Sequence, residues 1–334
     1  MRPTTARATA RPSLRQLGGP RAVPAAAAAV AAALSMTVAA HAGPSGILLT
    51  GDDRLHAVDV AAPGTIVNSV SVTGIDPFED LLGIDVRPGD PAGLYALSSF
   101  GQLYRINPAT GAAAAVGAPL DPDQVRLEGE YYGLDFNPVV DRIRVVSEVG
   151  ENFRLNPDTG AVAGNDGSLA YVAGDPNAGT PSTVTAAAYT NNDTDPATGT
   201  TLYDIDSDLG VLAVQNPPNA GGLQTVGSLG LADVPLFAGF DILGPDDAAY
   251  AVTTAEEAFF GLPALPSRLY GIDLATGAAT DLGLLGDGSL PVTGFALTDG
   301  PVPIPLPPAV LAVPVALAIA GACHRRCRRR GGQV

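Results

Sequence analysis

Three aspartates hold matching places in a recurring short segment: Gly83-Ile-Asp85-Val, Gly133-Leu-Asp135-Phe and Gly239-Phe-Asp241-Ile. Repetition about an axis would make their carboxylates converge. Three converging carboxylates suit a hard cation such as Ca2+, or acid/base work on a sugar. The competing reading is structural, with each carboxylate accepting backbone N–H bonds inside its own repeat. Arg87 lies two residues past Asp85, but Asn137 and Leu243 hold the matching places after Asp135 and Asp241, so local arginines do not serve all three. A second acidic run, Asp204-Ile-Asp206-Ser-Asp208-Leu-Gly210, has the alternating acids of a calcium loop. Its glycine falls one place late, however, and Gln215 stands where a bidentate Glu would close the shell. A hairpin turn with solvated acids is the preferred reading, and the polar stretch 191–199 reads as a loop. His56 takes the place that Tyr104 and Phe153 hold in related strands, which points to packing. The other histidines, His41 and His324, and both cysteines, Cys323 and Cys327, lie near the ends. The body therefore has no thiolate, no His-based triad and no His-rich zinc site.

The segments that would position these acids form two series. In one, a strand runs into an Asn/Asp-x-x-Thr-Gly turn: Leu103-Tyr-Arg-Ile-Asn-Pro-Ala-Thr-Gly111, Phe153-Arg-Leu-Asn-Pro-Asp-Thr-Gly160 and Leu269-Tyr-Gly-Ile-Asp-Leu-Ala-Thr-Gly277. The Asn or Asp caps the turn, and the glycine supplies the positive φ that the turn demands. Looser copies at 55–59 and 212–217 bring the turn residues to Asp59, Asn107, Asn156, Asn216 and Asp273. The other series is the Gly-apolar-Asp strand, with further copies at 186–189 and 294–297. Its centres at 85, 135, 188, 241 and 296 recur every 50 to 55 residues.

The turn series begins before the first Gly-apolar-Asp strand, and the strand series ends after the last turn. One unit is thus split between the two ends, as in a ring closed by pairing the last strand with the first partial sheet. The expectation is an all-β protein, a β-propeller of five four-stranded blades. Segments 46–50, 94–98, 142–147, 201–206 and 248–253 would be the second strands. A β-sandwich or an open β-solenoid would use the same strands.

The chain has 334 residues with 18 arginines, no lysine and 34 acids, and no acid falls before Gly43 or after Gly300. The middle therefore sets all 34 acids against eight arginines and would be repelled by a phosphate backbone, so no nucleic acid is expected as a partner. With 46% hydrophobic residues, 40 Gly and 30 Pro, it is too apolar for a disordered chain and too rich in turns for a helical bundle. Residues 1–42 read as a signal peptide: Arg2, Arg7, Arg11, Arg15 and Arg21, an apolar stretch, then Ala40-His41-Ala42 as the cleavage site. Residues 43–300 are the repeat domain. Residues 301–334 join Val302-Pro-Ile304-Pro, a short apolar segment broken by Pro314, and an arginine cluster from Arg325 to Arg330. That tail is short for a permanent span, though a plain C-terminal anchor remains the alternative.

The tail resembles the PEP-CTERM class of bacterial sorting signals, in a Val-Pro-x-Pro variant with Ile304 where Glu is commonest. This resemblance implies an exosortase-type enzyme, alongside signal peptidase, as a processing partner. The Leu-Tyr-x-Ile-Asn-Pro-x-Thr-Gly pattern, with Tyr132-Gly-Leu-Asp-Phe-Asn-Pro138 and Arg142-Ile-Arg-Val-Val, resembles the secreted bacterial family called domain of unknown function 4394. That likeness implies a fold and a location but no activity. The expected protein is a secreted, non-enzymatic propeller of the surface or extracellular matrix. Exopolysaccharide or a surface protein is its expected partner, and Ca2+ its possible ion. The alternative is a glycoside hydrolase like the five-bladed arabinanases, with Asp85, Asp135 and Asp241 as its carboxylates. The absence of Trp counts against sugar stacking there.

Overall fold

The computed structural model describes residues 44–298, apart from 91, 196, 232–234, 245 and 256–264. The expected signal segment and sorting tail lie outside the described residues. Twenty-one strands follow in order. β1 (Ser45–Thr50), β2 (Arg54–Asp59) and β3 (Ile66–Ser71) open the chain. β4 (Leu81–Val86), β5 (Leu94–Ser98), β6 (Leu103–Ile106) and β7 (Ala113–Val116) come next, followed by β8 (Tyr132–Asn137), β9 (Arg142–Ser147), β10 (Asn152–Leu155) and β11 (Val162–Asn165). After the two-residue β12 (Ala170–Tyr171) come β13 (Val184–Tyr189), β14 (Leu202–Asp206), β15 (Val211–Gln215) and β16 (Gly222–Ser228). β17 (Phe237–Leu243), β18 (Ala248–Thr253), β19 (Arg268–Ile272), β20 (Ala279–Leu284) and β21 (Val292–Thr298) complete the set.

These strands make five sheets: β21-β1-β2-β3, β4 to β7, β8 to β11, β13 to β16 with β12 added, and β17 to β20. The protein is a five-bladed propeller, and the last strand closes the first blade. β21 runs antiparallel to β1, with Ser45 opposite Thr298 and Leu48 opposite Phe295. The second strands fall where the repeat predicts. The fourth blade differs, because β12 pairs in parallel with β16 as a fifth, outermost strand. A two-residue strand has too little alternation to be legible in sequence.

Burial falls from the axis outward. Every residue of β17 and β13 is buried, whereas most of β20 is exposed. Five apolar clusters fill the junctions between adjacent blades, and the one joining Val252 and Leu269 to Leu48 and Phe295 closes the ring. The Thr-Gly turns clasp the rim. Gly111 N–H bonds Asn107 O at 2.8 Å, and Asn107 Oδ1 accepts Ala109 N–H at 2.9 Å. Gly111 (φ 71°) and Gly160 (φ 68°) each press on the preceding blade. A Cβ on Gly111 would stand 2.0 Å from Ser71 O, and one on Gly160 2.3 Å from Val116 O. Glycine is required there for conformation and for space.

Candidate functional site at the propeller axis

The inner strands β4, β8, β13, β17 and β21 surround the axis, with Asp85, Asp135, Ala188, Asp241 and Ala296 at equivalent places. The structure brings the three aspartates together: one carboxylate oxygen from each lies within 4.8 Å of the others, and all three residues are buried. No other group of three or more such ligands forms among the described residues.

One residue further along, each inner strand turns a backbone N–H toward this layer. Asp85 accepts Val86 N–H on Oδ1 at 2.6 Å and, from the next blade, Phe136 N–H on Oδ2 at 2.7 Å. Asp135 Oδ1 accepts Tyr189 N–H at 3.0 Å. Asp241 accepts Ile242 N–H and, from the closing strand, Leu297 N–H, both at 2.6 Å. Five N–H groups thus meet five of the six oxygens, and Asp135 Oδ2 takes none of these bonds. The expectation that each acid serves its own repeat holds for two bonds only. Three bonds cross to the following blade, because its free edge faces the same axis. Where the preceding blade carries Ala296 or Ala188, Asp85 and Asp241 satisfy their own neighbours instead. The count explains why three acids suffice for five blades.

Arg87 does not reach Asp85. Its guanidinium bonds Asp141, with Nε to Oδ1 at 2.8 Å, and Asp158 at 2.8 Å, joining neighbouring blades at their ends. The axial carboxylates therefore have no arginine bonded to them. Burial raises the Asp85 pKa well above the usual carboxylate range, and Asp241 raises it further against the pull of the Phe136 and Val86 N–H groups. Burial, then Asp85 and Asp241, do the same to Asp135. Asp241 is pushed up to about 7 by burial, with the Leu297 and Ile242 N–H bonds opposing.

Above this layer is a neck of Gly83, Gly133, Ala186, Gly239 and Gly294. A Cβ on Gly133 would meet Ala187 N at 2.7 Å, and one on Gly239 would meet Phe295 Cβ at 2.6 Å. The space left among the neck residues is about 10 Å3, at the lower limit for one water. Above the neck the axis opens into a cavity of about 740 Å3, walled by the residues just before the glycines, including Leu81, Tyr132, Thr185, Phe237 and Val292. Asp53, Asp80 and Glu130 also line it. The sequence reading missed these acids, though a signal existed: Asp80 and Glu130 each stand three residues before a repeat glycine. Buried, bonded to backbone and cut off by the neck, the axial carboxylates are not placed to flank a glycosidic bond.

The second acidic run is not a solvated turn. Asp204 and Asp206 are fully buried on one face of β14, while Asp208 is exposed. Asp206 accepts Tyr171 O–H at 2.9 Å, Leu209 N–H at 3.0 Å and Thr183 N–H at 3.2 Å, and Asp208 accepts Thr183 O–H at 3.0 Å. Strand pairing turns the first two acids inward, toward the third blade. Neither Asp204 oxygen has a hydrogen-bond partner. Burial pushes Asp204 up to about 8, with Arg144 opposing and Asp206 adding to the rise. Arg144 is itself fully buried and bonded to Asp166 and Asn152 at 2.6 Å and to Asn219 at 2.8 Å. His56 is a packed polar link, 2.7 Å from Ser69 Oγ and 3.2 Å from Thr50 Oγ1, and burial and then Arg54 lower its pKa.

A closed five-bladed ring with a buried acid layer at its axis defines the class as an all-β propeller. The chain belongs to the family described as a domain of unknown function (DUF4394), whose model matches residues 54–296. No curated protein matches the chain. Among solved structures it is similar to a protein of unknown function from Bacteroides thetaiotaomicron, at 16% identity and TM-score 0.45, covering 79% of this chain and 64% of that one. A Myxococcus xanthus glutaminyl cyclase is similar at 14% identity and TM-score 0.40, covering 66% and 83%. Dihydro-heme d1 dehydrogenase NirN in complex with DHE is similar at 15% identity and TM-score 0.33 over 73% of this chain, which spans 44% of that protein's length.

Proposed function

We propose that this chain is a secreted propeller of the cell surface or extracellular matrix that binds and does not catalyse, with the axial mouth as its binding face. One observation carries the reading. The large cavity on the axis is sealed by the glycine neck from the buried carboxylates below, and among the described residues its lining includes no His, Cys or Arg to pair with its acids. The basic and apolar ends support a route through signal peptidase and an exosortase-type enzyme, with exopolysaccharide or a surface protein as the partner. Intact mass of protein from the native host's medium and surface tests the route. The expected chain begins near Gly43 and lacks Arg325 to Arg330. A full-length chain confined to the cytoplasm overturns the reading.

A second reading concerns the acid layer. Oxygens within 4.8 Å of one another are close enough for one hard cation to reach all three, and a cation there would relieve the mutual repulsion. Millimolar Ca2+ is then expected to raise Tm. Asp135→Asn should remove most of that rise, and Asp206→Asn should keep it. No response to Ca2+, or one that survives Asp135→Asn, sinks this reading.

A further inference from the structure

We infer that the axial mouth takes an organic cation, a protonated amine carried on an apolar body. This rests on the reading of the mouth as the binding face. Its volume of about 740 Å3 lies within the range of small-ligand sites. The wall is divided in character. Leu81, Phe237 and Val292 supply an apolar floor, and Asp53, Asp80 and Glu130 supply three carboxylates.

Those acids have no arginine partner among the described residues. No described arginine lines the cavity, and the ion pairs of the described residues lie elsewhere, joining Arg87, Arg105, Arg144, Arg154 and Arg268 to other aspartates. Asp53 is held in the left-handed region at φ 53°, and beyond the effect of burial its pKa is raised by Asp80, Asp52 and Glu79, so the local potential is negative. Thr293 Oγ1, on the same wall, is shielded from solvent and has no hydrogen-bond partner. Tyr131, 41% exposed beside Glu130, also lines the cavity. An anion would meet three like charges. A bare metal ion would leave the apolar floor uncovered.

Three isosteres separate charge from shape: 2-phenylethylamine, 2-phenylethanol and phenylacetate, titrated calorimetrically into the full-length protein at low salt. The amine is expected to bind about tenfold tighter than the alcohol, to weaken as salt rises, and to exceed phenylacetate by more. Asp80→Asn with Glu130→Gln alters two exposed side chains and should lose about tenfold for the amine with Tm unchanged. Should the pair perturb folding, Glu130→Gln alone is read in its place. Equal affinity for amine and alcohol, or amine affinity that survives the substitutions, overturns the cation inference and leaves the mouth as a binding face. Failure of all three probes at about 10 mM overturns both.

Discussion

Aspartate does two different jobs in this ring, at the axis and at the rim. Asp273 caps an exposed Thr-Gly turn, and the Ala275 N–H on its carboxylate lowers its pKa. Asp85 and Asp241 also accept backbone N–H bonds, yet their pKa values rise because burial outweighs those bonds. The rim needs one acceptor oxygen per turn, so Asn107, Asn156 and Asp273 are interchangeable there. At the axis, two N–H groups from different strands meet both oxygens of one side chain, and an amide offers only one oxygen. Residue type is therefore free where one acceptor suffices and fixed where two are counted.

The largest effect expected from this contrast is at an alanine. Ala296→Asp would add a fourth buried carboxylate whose matching donor, Val86 N–H, is already taken by Asp85. A loss of about 4 kcal/mol is expected, read as a fall in Tm of roughly 8–16 °C. An unchanged Tm would show that acceptors at the axis are not limited by donors. Asp85→Ala, which orphans the Val86 and Phe136 N–H groups, should cost about 3 kcal/mol in chemical denaturation, less whatever the relieved repulsion returns. At the rim the sensitive residue is the glycine: Gly160→Ala should cost about 2 kcal/mol, through its left-handed backbone and the Val116 carbonyl.

A pH titration sharpens the comparison. The axial acids and Asp204 have raised pKa values, so the folded state binds protons that the unfolded state has released. Their contribution is favourable below the ordinary carboxylate pKa near 3.8 and is lost as pH rises through about 7 for Asp241 and about 8 for Asp204. Tm should therefore be a few degrees higher at pH 5 than at pH 8.5, and the difference should shrink in Asp204→Asn. A Tm that climbs steadily from pH 5 to 8.5 would refute the assignment. The smallest effect is at the rim cap: Asp273→Asn should leave Tm within about 2 °C.

The ring was readable because two series share one period and are offset at the ends, which demanded that the last strand pair with the first partial sheet. The convergence of Asp85, Asp135 and Asp241 follows from the same period. Their hydrogen bonds do not, since a period places residues without saying which neighbour a side chain leans toward. Asp204 and Asp206 looked like surface acids because alternation along a strand does not reveal which face a neighbouring blade covers. The mouth was overlooked because Asp53 lies in a turn without counterparts, and because Asp80 and Glu130 recur in only two of the five repeats.

Closure through β21 has a consequence for how the chain is made. Ser45 and Thr298 are 253 residues apart, so β1 is synthesised long before its partner exists. At roughly 5–20 residues per second that interval is about 12–50 s. Throughout it, β1 presents an unpaired edge and an apolar face to its surroundings, the arrangement that recruits stray strands. The vulnerable moment of this protein is thus its biogenesis: until the final strand arrives, the ring is an open sheet stack with an unpaired inner edge.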